Sequence, residues 1–198
     1  MAKEKKPNTK SSSLELVLFN QWFDEFSKES DRAAVILGAA KLDLGLRGLL
    51  ARRLLPNPSG QDELLDTDKP ISTFSARINL AYRLGLIDKR FANWLHLIRR
   101  IRNDFAHEAV GAELGSGSHR DRVKELVAPF RKNKRFERLA SKYPSKLPQA
   151  SKYFRTVLSI LVVRLEGATR STRTVDETDA YDIMPPSLSG AGWEAETK

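Results

Sequence analysis

Apolar residues recur along most of this chain at the three- and four-residue spacing of amphipathic helices. The first such pattern begins at Leu14 and ends near Phe26. The second fills residues 31–55, after a potential N-cap at Ser30 and before a stop at Pro56. No stretch shows the apolar–polar alternation of a half-buried strand. The pattern therefore predicts an all-α protein.

Further helices are predicted downstream, each bounded by residues that start or end helices. Ser72 or Thr73 starts one that Gly85 ends, and Asp88 caps the next. The predicted spans are 72–84, 88–109, about 119–128 and 149–166. Five to six helices without strands predict a helical bundle. The small residues Gly38, Gly45 and Gly48 on the second helix indicate close helix packing.

The two ends of the chain differ in composition from the middle. Residues 1–13 hold four lysines and one glutamate without apolar periodicity, which predicts a disordered basic arm. Residues 170–198 are polar, net acidic and contain Pro185-Pro186, which predicts a disordered tail. The predicted helical domain is residues 14–169.

Composition excludes several kinds of chemistry and location. The chain has no cysteine, which excludes disulfides, thiolate zinc sites and cysteine nucleophiles. The longest apolar run, "VLSILVVRL", is too short to cross a bilayer, and no signal peptide pattern is present. These features predict a cytoplasmic protein without a membrane partner. The formal net charge of +9 favours a DNA or RNA partner, although a basic protein without one has the same composition.

Residues 129–146 concentrate this positive charge. Cations mixed with the aromatics Phe130, Phe136 and Tyr143 suit phosphates and stacked bases. The alternative is that the aromatics pack into the bundle and only the charges meet solvent. The candidate nucleic-acid-binding residues are Arg131, Lys132, Lys134, Arg135 and Arg138.

A helix-turn-helix is the other potential nucleic-acid reader. Ala81, Gly85 and Phe91 have its spacing, and Lys89, Arg90 and Asn93 would face the groove. The second helix, however, continues for some 20 residues and carries much of the predicted core. An αα-hairpin with Gly85 as its C-cap is the preferred interpretation.

One helix carries a narrow polar stripe opposite an apolar face. His96, Arg100, Asn103 and His107 follow the spacing i, i+4, i+7, i+11, which defines a possible functional groove that includes His96 and Arg100. The alternative is an ordinary solvated face. The two histidines lie three turns, roughly 16 Å, apart, so they cannot share a metal ion. No metal is therefore predicted. No cofactor is predicted either, since the glycine motifs that bind phosphate groups of nucleotides are absent.

Three stretches resemble the mannitol operon repressor family. They are "ESDRAAVILGAAKLDLGLRGLL" (29–50), "ISTFSARINLAYRLGLID" (71–88) and "LHLIRRIRNDFAH" (95–107). The resemblance spans about residues 15–168 and implies an all-helical regulator of transcription. It does not indicate which element would contact DNA.

A shorter resemblance lies within the third stretch. "RNDFAH" (102–107) resembles the R-x4-H motif of HEPN domains, which are helical bundles and include metal-independent endoribonucleases. This likeness implies catalytic roles for Arg102, Asn103 and His107. Arg102 and His107 point about 140° apart on a regular helix, so a bend or a second copy facing the first would be needed. Arg102 could instead form a buried pair with Asp43 or with Asp104 of a neighbour.

The sequence thus favours a non-enzymatic transcriptional regulator, as a homodimer and through DNA or protein contacts. Two alternatives remain open: a HEPN-type endoribonuclease or toxin, and a protein-interaction module without a nucleic-acid partner.

Overall fold

The computed structural model describes residues 9–58, 60–108 and 111–177, with side chains from Ser13 onwards. These residues form an all-helical bundle without strands, which confirms the predicted fold class. The described helices are α1 (Thr9–Lys28), α2 (Asp31–Arg53), α3 (Phe74–Arg83), α4 (Lys89–His107), α5 (Gly117–Val127), α6 (Lys134–Ala140) and α7 (Gln149–Ser171).

The predicted helix caps are present. Ser30, Thr73 and Asp88 each accept a hydrogen bond from the backbone N–H three residues later. Gly85 has a φ of +67°, and Leu86 N–H donates to the carbonyl of Ala81 at 2.9 Å. A left-handed residue closed by this bond ends a helix, so α3 and α4 form an αα-hairpin with Gly85 past the end of α3.

Helix α7 lies in the centre of the bundle and packs against α1, α2, α5 and α6. Its contact with α2 is close because Gly38 lies against Leu158 and Gly45 against Leu165. Gly48 faces open space and takes no part in this contact.

A buried ion pair ties the α1–α2 junction to α7. The guanidinium of Arg155, whose side chain is fully buried, donates to Asp31 Oδ1 at 2.7 Å. It also donates to the carbonyls of Phe26 and Glu29, both at 3.0 Å, while Ser151 Oγ donates to Asp31 Oδ2. A buried guanidinium needs such partners to offset the loss of water, so this network fixes where α1 ends and α2 begins.

Two helix ends differ from the sequence prediction by more than two residues, and one helix was not predicted. Helix α1 begins at Thr9, five residues before the apolar pattern, and α7 continues to Ser171, five residues beyond Glu166. Helix α6 lies within the basic segment and brings the described helices to seven. Residues 1–8 of the predicted arm and 178–198 of the predicted tail lie outside the described residues. Among the helices described, none is both long and apolar enough to span a membrane.

Candidate functional site

Helix α4 separates its packed and polar faces as its sequence pattern predicts. Leu97, Ile98, Ile101 and Phe105 are buried against the rest of the bundle. The polar stripe lies on the other side of α4. Arg100 and His107 are exposed there, whereas His96 and Asn103 are half-buried.

The N-terminal part of the stripe is engaged with α3. His96 is half-buried and its Nε2 lies 3.2 Å from Asn79 Oδ1. Burial lowers the pKa of the His96 imidazole, and the charges of Arg99 and Arg100 lower it further. Arg100 is exposed. His96 therefore belongs to the contact between α3 and α4, and Arg100 is the freer of the two proposed groove residues.

The C-terminal part of the stripe carries the R-x4-H motif. Arg102 and Asn103 are half-buried, and His107 is exposed as the last residue of α4. Within the described ranges, none of these three side chains forms a hydrogen bond or an ion pair. α4 is a continuous α-helix up to His107, without the interruption that a local bend would show. The three side chains are thus available to a ligand, but one copy does not aim Arg102 and His107 at one point.

The carboxylates beside this motif are bound to α5. Asp104 forms an ion pair with Arg122, and Glu108 Oε1 lies 3.0 Å from Nε2 of the buried His119. The His119 ring packs at a tilt of 54° against Phe105 with 4.7 Å between ring centroids, and its Nδ1 lies 3.9 Å from Asp104 Oδ2. These contacts hold the end of α4 on the start of α5.

Arg32, in the first turn of α2, binds backbone carbonyls at the same end of α4. Its guanidinium donates to the Phe105 carbonyl at 2.6 Å and to the Glu108 carbonyl. Carbonyls in the last turn of a helix lack helical partners, and a cation there also interacts favourably with the helix dipole. The backbone that carries Arg102, Asn103 and His107 is therefore held on two sides.

The buried pair suggested between Arg102 and Asp43 is wrong, whereas the pair with Asp104 of a neighbour stays a prediction. Asp43 is bound to Arg77 at 2.8 Å, and Asp104 is bound to Arg122. Arg77 and Arg122 approach from α3 and α5, whose positions relative to α2 and α4 cannot be read from a spacing along one helix.

In the basic segment 129–146 the aromatics face inward and the cations face outward. Phe136 and Tyr143 are buried. The ring of Phe130 stacks on Phe136 at 5.3 Å and packs at a tilt against Trp94 at 5.0 Å. These rings are therefore not free to stack on bases. The exposed cations form no ion pair among the described residues. They are Arg131, Lys132, Lys134, Arg135 and Arg138.

His119 and Arg32 are the residues of this region that sequence reasoning missed. His119 precedes Val123, Leu126 and Val127 at helical spacing, and this periodicity is the signal that could have placed it on the buried face of α5. Arg32 lies 73 residues before its acceptor at Phe105. In the described part of the chain, no three His, Asp or Glu side chains are grouped as metal ligands would be.

The fold and this site define an all-helical bundle protein. The polar C-terminal end of its helix α4 is held by Arg32 and by the buried His119 of α5. No family model matches the chain, and no curated protein matches it. A chain in the X-ray structure of the MtlR-HPr complex from Escherichia coli is similar in structure, with a TM-score of 0.52 and 18% identity. The match covers 77% of this chain and 98% of that one. At this identity the likeness shows a shared fold.

Proposed function

We propose that this protein is a non-enzymatic regulator of the mannitol operon repressor type, acting by binding other macromolecules. The observation that carries this proposal is the fold shared with nearly the whole of a chain from the MtlR-HPr complex. The three sequence stretches that resemble the family lie on α2, α3 and α4 and include the caps Ser30, Thr73 and Asp88.

A protein partner is the first contact to test, since the similar structure is a complex with HPr. We expect HPr from the organism that encodes this chain to bind it in calorimetry. We also expect loss of the gene to raise expression from that organism's mannitol operon promoter in a reporter strain. Absence of both effects would contradict the proposal, whereas binding without an effect on the promoter would leave an interaction module.

A second candidate function is metal-independent RNA cleavage, favoured by one observation. Arg102, Asn103 and His107 have no partner in the described residues, although their neighbours Asp104 and Glu108 do. A neutral imidazole can activate a 2′-hydroxyl, and a guanidinium can stabilise the charge on the phosphate. These residue types suit that reaction if a second copy completes the site.

The assay for cleavage uses single-stranded RNA and a chelator. An active protein should give products with a 2′,3′-cyclic phosphate, and His107→Ala and Arg102→Ala should each abolish them. Arg90→Ala is the matched control, because Arg90 is exposed on the same helix outside the motif. An inactive wild type, together with variants whose thermal melts show loss of folding, would make the motif a structural feature.

A further inference from the structure

An apolar groove lies at the C-terminal end of α2, away from α4. Its walls are the last turn of α2 and the loop that follows, and its volume is about 660 Å³. Leu55 and Leu64 are 46% and 37% exposed within it. Apolar side chains that line a concave surface favour an apolar occupant, because contact with it removes them from water. Its apolar lining includes Ala51, Leu54, Leu55, Pro56, Leu64 and Val175, and Asn57, Asp62 and Glu63 also line it.

The chain after α7 is directed to this groove by hydrogen bonds. Val175 N–H donates to the Arg53 carbonyl at 2.8 Å, and Thr174 Oγ1 donates to the Arg52 carbonyl at 3.2 Å. In return, the Arg53 guanidinium donates to the carbonyl of Arg173 at 3.2 Å. The carbonyls at the end of α2 lack helical partners, and this segment supplies them. Val175 then forms part of the groove wall.

We propose that the groove is the docking site for the chain's own C-terminal segment, centred on Ile183 to Pro186. The sequence continues for 21 residues past Glu177, the last described residue. Ile183 is eight residues beyond Val175 and can lie up to about 28 Å from it, so it reaches every part of a groove that Val175 lines. A short tether also gives a local concentration in the millimolar range, which favours this segment over a second copy.

The chemistry of the segment fits the groove. Tyr181, Ile183 and Met184 supply apolar side chains, and Pro185-Pro186 has no amide hydrogens that would lose water on entering an apolar surface. Docking would therefore cover Leu55 and Leu64 and would compete with any partner that needs them.

Cysteine pairs test this proposal directly, because the chain has no native cysteine. Leu64→Cys with Ile183→Cys should form a disulfide in a glutathione buffer about tenfold faster than Leu44→Cys with Ile183→Cys. Leu44 is the matched control, since it is also an exposed leucine and lies in α2 about 13.5 Å along the axis before Arg53, the last residue of the helix. Equal rates for the two pairs would overturn the proposal, as would a disulfide that joins two chains.

A charge placed in the groove provides the second test. Leu55→Asp, added to the Leu64→Cys and Ile183→Cys variant, should remove the rate advantage, whereas Leu44→Asp should preserve it. Both leucines are exposed, so a circular dichroism melt should show that each variant folds. An advantage that survives Leu55→Asp in a folded protein would contradict docking in this groove.

Discussion

His96 lies between α3 and α4 with its imidazole half-buried and its Nε2 facing Asn79. Burial and then the charges of Arg99 and Arg100 place the pKa of the folded state below the unperturbed value of 6.5. The unfolded chain therefore binds more protons than the folded one as the pH falls through this range. The contribution of His96 to stability is complete above about pH 6.5 and is lost as the pH falls toward the folded pKa.

Replacement of His96 should therefore reduce the dependence of stability on pH. We expect His96→Gln to show a smaller fall in the free energy of unfolding between about pH 7.5 and about pH 5.5 than the wild type. Urea unfolding at the two pH values measures this. The control is His107→Gln, which makes the same substitution at an exposed position on the same helix. A fall equal to that of the wild type in His96→Gln would show that other groups cause it.

Single residues are where prediction from sequence fails most clearly. Arg155 lies in the apolar stretch of α7, and the sequence gives no sign that its guanidinium is fully buried. Its acceptors at Phe26, Glu29 and Asp31 lie more than 120 residues away. The contacts of His119 could not be predicted for the same reason, since Phe105 lies on α4 and Glu108 directly follows that helix. A buried polar residue is defined by its partners, and these depend on tertiary packing.

At the scale of the helix, two glycines of α2 predict opposite effects on stability when each is replaced by alanine. A Cβ at Gly38 would lie 2.5 Å from Leu158 Cδ1, in the buried contact between α2 and α7. Overpacking of a core costs about 1–3 kcal/mol, which exceeds the gain in helix propensity from alanine. A Cβ at Gly48 would meet nothing within 4 Å.

Gly38→Ala should therefore lower the free energy of unfolding, whereas Gly48→Ala should raise it by up to about 1 kcal/mol. Chemical unfolding of both variants beside the wild type measures the difference. The pair is internally controlled, because the two changes are identical and lie on one helix. Stabilisation by both would mean that Leu158 moves aside at no cost and that α2 does not need Gly38 for its contact with α7.

Helix ends were predictable because their signals are local. Ser30, Thr73, Asp88 and Gly85 each act within three or four residues of their position, so the sequence alone places them correctly. Helix α6 was missed because its seven residues are too few for a periodic pattern. The burial of its Phe136 is recognisable only beside Tyr153 of α7 and Phe130.

At the scale of the whole molecule, the surface of the basic segment predicts weak, salt-sensitive binding of nucleic acid. Its cations are exposed, and its one carboxylate, Glu137, accepts hydrogen bonds from Tyr153. Charge reversal at Arg131, Arg135 and Arg138 should weaken binding and lessen its salt dependence, by about 0.9 in slope for each duplex phosphate that the protein no longer neutralises. Titration of labelled DNA and RNA at two salt concentrations measures both.

The matched control reverses three exposed arginines elsewhere: Arg83, Arg164 and Arg170. It changes the net charge equally, so an equal loss of affinity would show that overall charge, and not the basic segment, governs binding. Absence of binding by the wild type at low salt would favour an interaction module without a nucleic-acid partner.

The last prediction concerns the number of copies. Arg102 and His107 lie five positions apart on the continuous helix α4, so a site that uses both needs a second copy related by two-fold symmetry. We expect light scattering to give about twice the chain mass of 22.3 kDa. A strict monomer at high concentration would exclude the composite nuclease and would leave the regulator unaffected.

Mixing variants tests whether the copies share that site. In a dimer of Arg102→Ala with His107→Ala, one of the two composite sites retains both residues. Random exchange should therefore restore about a quarter of wild-type cleavage to a mixture of two inactive variants. Each variant alone is the control, and a mixture that stays inactive after subunit exchange would contradict a shared site. Restoration would assign the end of α4, held by Arg32 and His119, to catalysis between two copies of this chain.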